Sequence, residues 1–226
     1  MTRKRRTSLG LAALSIALLA MPLVAGPTAA SDLTEEAAAL AERTALKYEG
    51  SESYRVEFSQ ESYWSLADSL VVSSGVLLAD PPSRVSVEYE DGGRIVSRGD
   101  SIWVYVPQTN QFFSSPVDSS DVTLDLAALL RRYRPSSDAP FADAPAGART
   151  IQLRPSGGLA EPVRLLVTVN EAGGTVTAIT AYSTSGDRTT YELLDTRFNV
   201  PVPDGAFNAR RPPGAELVRG QLPGAP

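Results

Sequence analysis

From Tyr54 onward the chain reads with a period of two, and it keeps that period for most of its length. Tyr54, Val56 and Phe58 alternate with Arg55, Glu57 and Ser59, the pattern of a strand with one buried face. A loop at 65–68 leads to a second strand over 70–78, which Pro81-Pro82 stops. Val85, Val87 and Tyr89 then alternate with Ser86 and Glu88. Asp91-Gly92-Gly93 is a hairpin signal, followed by strands over 94–98, 102–106 and 111–114. Strands resume over 150–154, 163–170, 175–183 and 188–198, with hairpin turns at Glu171-Ala172-Gly173-Gly174 and Ser185-Gly186-Asp187. Beyond Asn199 the chain is Pro-rich, and 220–226 reads as a frayed tail. About nine or ten antiparallel strands joined by short turns predict a meander. Such a meander suits a strongly curved sheet or incomplete antiparallel β-barrel.

Two segments break the strand pattern. Asp32-Leu33-Thr34-Glu35 looks like a capping box opening a helix. Leu33, Ala37, Leu40, Ala41 and Thr44 share one of its faces, and it should end near Tyr48 at Glu49-Gly50. Asp121 predicts the cap of a second helix from Val122 to about Tyr133, with Leu126, Leu129 and Leu130 on its apolar face and Pro135 ending it. Residues 136–148 read as a loop. The two amphipathic helices are expected to cover the sheet.

The N-terminus has the composition of an export signal. Arg3-Lys4-Arg5-Arg6 precedes an apolar run from Leu9 to Ala20. Roughly 12 apolar residues suit a signal peptide, whereas a spanning helix needs about 20. Small residues surround Thr28-Ala29-Ala30, and cleavage is expected after Ala30. An uncleaved anchor is the rival reading. Arg5-Arg6 raises a twin-arginine route, which polar Thr7-Ser8 disfavours. The expected organisation is therefore a cleaved leader over 1–30, one domain over 31–219 and a flexible tail over 220–226.

Removing the leader leaves 196 residues with 17 Lys+Arg against 26 Asp+Glu, a net charge of −9. That length can bury a sizeable core. The acidic balance argues against nucleic acid and against electrostatic adhesion to anionic lipid. The chain has no cysteine, so no lipid-modified N-terminus is expected after cleavage. It has no histidine either. That removes Ser-His-Asp and Cys-His catalysis and the usual zinc sites.

The remaining polar motifs have simpler explanations. Asp118, Asp121 and Asp125 lack the glycine and glutamate of a calcium loop. Glu35 and Glu36 suit the positive end of a helix dipole. The doublets Gly92-Gly93, Gly157-Gly158 and Gly173-Gly174 sit between strands as turns and form no phosphate loop. Ser183, Ser185 and the other serines have no base to activate them. No catalytic residue, metal or cofactor is expected.

Tyr54, Phe58, Tyr89, Trp103 and Tyr105 all fall on predicted strands. They fill an ordinary core, or they line an apolar cavity that a wide curved sheet leaves open to an acyl chain or other hydrophobic ligand. Periodicity does not separate these two readings.

Several fragments, in order, resemble the LolA family of periplasmic lipoprotein carriers. Tyr54-Arg55-Val56-Glu57-Phe58-Ser59-Gln60 carries the Phe-x-Gln ending found after that family's first helix. Ser74-Gly75-Val76-Leu77-Leu78-Ala79-Asp80-Pro81 and Arg84-Val85-Ser86-Val87-Glu88-Tyr89 are similar to its next two strands. The stretch from Ser97 to Gln111, with Trp103, Tyr105 and Pro107, resembles its most characteristic segment. Phe207 and Pro212-Pro213-Gly214-Ala215-Glu216-Leu217-Val218 resemble its closing motif. The resemblance implies an incomplete barrel with helices as a lid over a hydrophobic cavity. It implies acylated lipoproteins as cargo, an inner-membrane lipoprotein-release ABC transporter as donor and an outer-membrane lipoprotein receptor as acceptor. Carried over residue by residue, Val56, Phe58, Val85, Val87, Tyr89, Trp103 and Tyr105 are the cavity-lining candidates of a monomeric periplasmic carrier. A sensor of the RseB type and a free-lipid transfer protein are the alternatives on the same fold. Asp80 stands where family members often have Arg, so the lid contacts of that Arg do not carry over.

Overall fold

A computed structural model describes residues 29–116, 125–157 and 162–220 of the chain. Most of the expected leader, Asp118, the expected cap Asp121, Val122 and most of the expected tail lie outside these residues.

Helix α1 runs over Ala29–Glu49. It begins earlier than the capping box implied, because Ala29 and Ala30 carry the highest helix propensity. Asp32 therefore lies within the first turn, where it favours the helix dipole. Ala37, Leu40, Ala41, Thr44, Ala45 and Tyr48 form the buried face, at the spacing of a helix packed on one side. Leu33 is exposed. The helix stops at Glu49, and the Gly50 N–H bonds back to the Leu46 carbonyl at 2.9 Å.

Six strands follow: β1 Tyr54–Trp64, β2 Ser69–Asp80, β3 Arg84–Tyr89, β4 Arg94–Arg98, β5 Ser101–Val106 and β6 Gln111–Pro116. Helix α2 is shorter than expected, Leu126–Arg132. Asp125 has an extended backbone and caps α2 by accepting from the N–H groups of Ala127 and Ala128 at 2.7 and 3.3 Å. Tyr133 leaves the helix and opens β7, Tyr133–Pro135; Pro135 is thus a strand residue, tolerated on a sheet edge. The expected loop contains the two-residue β8, Phe141–Ala142. The chain continues through β9 Ala148–Pro155, β10 Arg164–Asn170, β11 Val176–Tyr182 and β12 Arg188–Phe198. It ends in β13, Glu216–Arg219, inside the segment read only as Pro-rich.

The strands form one sheet in the order β13-β6-β5-β4-β3-β2-β1-β12-β11-β10-β9-β7, with β8 also on β9. Two meanders, β1 to β6 and β9 to β12, are joined where β1 pairs with β12, Tyr54 opposite Phe198. All pairings are antiparallel except β13 on β6. The edges β13 and β7 do not meet, so the architecture is the strongly curved sheet or incomplete β-barrel expected, covered by its helices. A bulge at Glu57/Phe58 bends the central β1–β12 pair. The main core lies between the helices and one sheet face, where Val56, Phe58, Val85, Val87, Ile151, Leu165, Val167 and Val169 meet α1 and α2.

Candidate functional site

Cross-strand partners in a sheet point to the same side, so the register assigns every side chain a face. Val56 lies opposite Leu77, Leu77 opposite Val87, and Val87 opposite Ile95. Phe58 and Tyr89 both lie opposite Gly75. These residues, with Val85, form the floor beneath the helices. Val56, Phe58, Val85 and Val87 are almost fully buried, and Tyr89 is half-buried against the same cluster. Phe58 meets Tyr89 edge to face at 5.6 Å and approaches Tyr191 at 6.1 Å. Burial lifts the phenol pKa of both Tyr89 and Tyr191 above the ordinary tyrosine value. The Tyr89 hydroxyl donates to Gln60 Oε1 at 3.2 Å, a polar end to an apolar floor.

Trp103 and Tyr105 are on the other face. Trp103 lies opposite Val96, which pairs with Ser86, and Tyr105 lies opposite Arg94 and Phe112. Both line a cavity of about 190 Å³ shared with Asn208, Ala209, Arg210 and Pro212 of the Pro-rich segment. That segment is strapped to the convex face by Arg94, which donates to the Ala206 carbonyl at 2.7 Å, and by Arg98, which donates to the Phe207 carbonyl at 2.8 Å. Five of the seven candidates therefore share the helix-covered floor, and two lie under the strap.

Tyr48, which sequence reasoning left out, and Tyr54, read there as core or cavity lining, complete the floor. Tyr48 accepts the Val176 N–H at 3.1 Å, and Tyr54 accepts the Leu126 N–H at 3.5 Å. The helix period did not single out Tyr48, and Ile179, Leu165 and Val167 read only as generic strand residues.

Helix α1 presents three alanines, Ala37, Ala41 and Ala45, to the sheet. Beside the shared buried cluster, an exposed ion-pair clasp links it to α2: Arg131 pairs with Glu49 and, at 2.8 Å, with Glu42. Arg131 draws the Glu49 carboxyl below its ordinary pKa through that hydrogen bond. Beside this clasp a cleft of about 710 Å³ opens between Glu49, the Pro81-Pro82 turn and α2. Its volume is that of a small-molecule site. Asp80 turns away from the helices and pairs with Arg84. Among the described residues, no group of histidine, cysteine and carboxylate side chains is arranged to hold a metal.

An unclosed, helix-covered half-barrel with an apolar floor is the architecture of the LolA-like class, a binding and carrier fold. The chain belongs to the LolA family: the model of outer membrane lipoprotein carrier protein LolA matches residues 49–210. Among solved structures, it is similar to an uncharacterized conserved protein from Thermus thermophilus, at 17% identity and a TM-score of 0.50, covering 82% of this chain and 98% of that one. It is also similar to a LolA superfamily protein from Nitrosomonas europaea, at 13% identity and a TM-score of 0.42, covering 77% and 97%. No curated protein matches the chain.

Proposed function

We propose that the protein is a periplasmic carrier that shields the acyl chains of lipoproteins and moves them from an inner-membrane ABC release transporter to an outer-membrane receptor. The observation that carries this reading is the apolar floor of a LolA-family sheet lying under a helical lid whose buried face is half alanine. Ala37, Ala41 and Ala45 bury little apolar surface, so lifting their stretch of α1 uncovers chiefly Leu40, while Tyr48 anchors the C-terminal end of the helix. An acyl chain supplies the replacement: about 0.8 kcal/mol per buried methylene, or on the order of 10 kcal/mol for a fatty chain. Lid closure over such a chain needs no covalent chemistry. Arg131 releases Glu42 and Glu49, the cleft widens, and the chain lies against Phe58, Val87 and Tyr89.

Export through the leader would place the protein between the two membranes. Among the described residues no helix is long and apolar enough to cross a membrane.

The test is native mass spectrometry of the protein from an envelope extract, paired with depletion in the host. An acylated polypeptide should co-purify, and depletion should leave lipoproteins in the inner membrane. A co-purifying free lipid would make it a lipid-transfer protein instead. Normal sorting with an altered envelope stress response would replace the carrier with a sensor.

A further inference from the structure

The β1–β2 hairpin outruns the rest of its meander. β2 pairs with β1 from Ser69 to Ala79, but β3 covers it only from Gly75 to Asp80. The last bond on that side runs from the Glu90 N–H to the Ser74 carbonyl, at 3.0 Å. Among the described residues no strand lies beside Ser69–Ser73 in the lane that β3 leaves vacant. N–H and C=O groups alternate sides along an antiparallel strand. With Ser74 turned outward, Leu70 and Val72 also turn both backbone groups to the open side.

This edge is apolar as well as open. Leu70, Val71 and Val72 are 54%, 52% and 65% exposed, and Leu66 in the turn is 96% exposed. The devices that normally blunt a free edge, a lysine, a proline or a bulge, are all missing from 64–74. Insertion into lipid does not suit it, because each unpaired backbone group costs several kcal/mol in hydrocarbon.

Charge selects the occupant further. Asp68 precedes one end of the edge, and Glu90, which accepts from the Ser74 hydroxyl, sits at the other. A second copy paired antiparallel about Val71 would set Asp68 of each chain beside Ser74 and Glu90 of the other, carboxylate against carboxylate. A strand with basic ends meets both carboxylates favourably.

We propose that the free edge of β2, Ser69–Ser73, docks an extended apolar strand with basic residues at its ends, contributed by a partner protein. The partner adds in the lane beyond β3 and takes the backbone groups of Leu70 and Val72. This site is separate from the floor beneath the helices, so it does not depend on the cargo.

The probe is a capped eight-residue peptide of alternating valine and threonine with a lysine at each end, added to the natural mature protein and followed by amide hydrogen exchange. The Leu70 and Val72 amides should exchange about tenfold more slowly, while the Val71 amide, already bonded to β1, stays unchanged. Val72→Pro should abolish the effect and keep the native circular dichroism, since the N–H it removes faces the lane with no strand among the described residues. Glu90→Lys should weaken binding of the lysine-ended peptide and favour a glutamate-ended one. Absence of protection at millimolar peptide, equal protection in Val72→Pro, self-association of the protein, or protection by neutral phosphatidylcholine vesicles in place of the peptide would each overturn the proposal.

Discussion

The rings of Tyr48 and Tyr54 meet edge to face at 5.0 Å and 84°, and each hydroxyl accepts a backbone N–H from a different part of the fold. Tyr48, at the end of α1, reaches Val176 at the start of β11. Tyr54, at the start of β1, reaches Leu126 at the start of α2. Phe198 of β12 closes the cluster at 5.2 Å from Tyr48. The pair thus ties both helices to the junction of the two meanders. Tyr48→Phe should keep the ring contact but orphan the Val176 N–H, costing about 1–2 kcal/mol in denaturant unfolding. Tyr54→Phe, whose bond is longer, should cost less. A double-mutant cycle should show coupling between them, and strict additivity would mean the two act separately.

Alkali should unfold the protein through its buried phenols. Burial pushes the Tyr48 pKa up to about 12 and raises Tyr54, Tyr89 and Tyr191 as well. The unfolded chain ionises near the ordinary value of about 10. Stability is therefore complete below pH about 10 and falls as pH rises from there to about 12, at up to about 1.4 kcal/mol per unit for each tyrosine. Phenolate absorbance in the ultraviolet should lag behind a free-tyrosine titration until unfolding begins. A curve that follows free tyrosine throughout would refute the burial.

Gly75 is where the floor comes closest to the backbone. A Cβ there would strike the Glu88 carbonyl and stand 2.9 Å from Phe58 Cζ. The carbonyl belongs to the paired strand and cannot swing away. Gly75→Ala should destabilise by about 1–3 kcal/mol and lower the melting temperature by several degrees, measured by calorimetry.

The Arg131 clasp should govern entry rather than stability. Exposed ion pairs contribute little to folding and weaken with salt. Arg131→Ala should leave the melting temperature nearly unchanged while speeding uptake of a fluorescent acyl probe. The chain has no cysteine, so Glu49→Cys with Arg131→Cys can be joined by a reducible bifunctional reagent. Cross-linking should slow uptake about tenfold or more and reduction should restore it. Unaltered uptake in the cross-linked protein would place the entrance elsewhere.

Much of this architecture is written locally. Alternation over Tyr54–Ser59 and Val85–Tyr89, the turn at Asp91-Gly92-Gly93 and the alanine-rich face of α1 depend on neighbours a few residues away, so the sequence alone determines them. The sidedness of Trp103 and Tyr105 is not local. Ile102 is buried on one face while Trp103 and Tyr105 are covered by the strap on the other, so 102–106 reads as a continuous apolar run with no outer side. Nor could the sequence show that Asp125 caps α2, because a capping aspartate is recognised by the extended backbone it adopts. The short strand Glu216–Arg219 lacks a local signal because its hydrogen bonds come from β6, about 100 residues earlier. Sequence by itself determined the long alternating strands, helix α1 and a composition without histidine or cysteine. The tertiary structure alone decided which face becomes the floor, since a strand's period of two defines two sides and only the packing of distant segments buries one beneath a lid and the other beneath a strap.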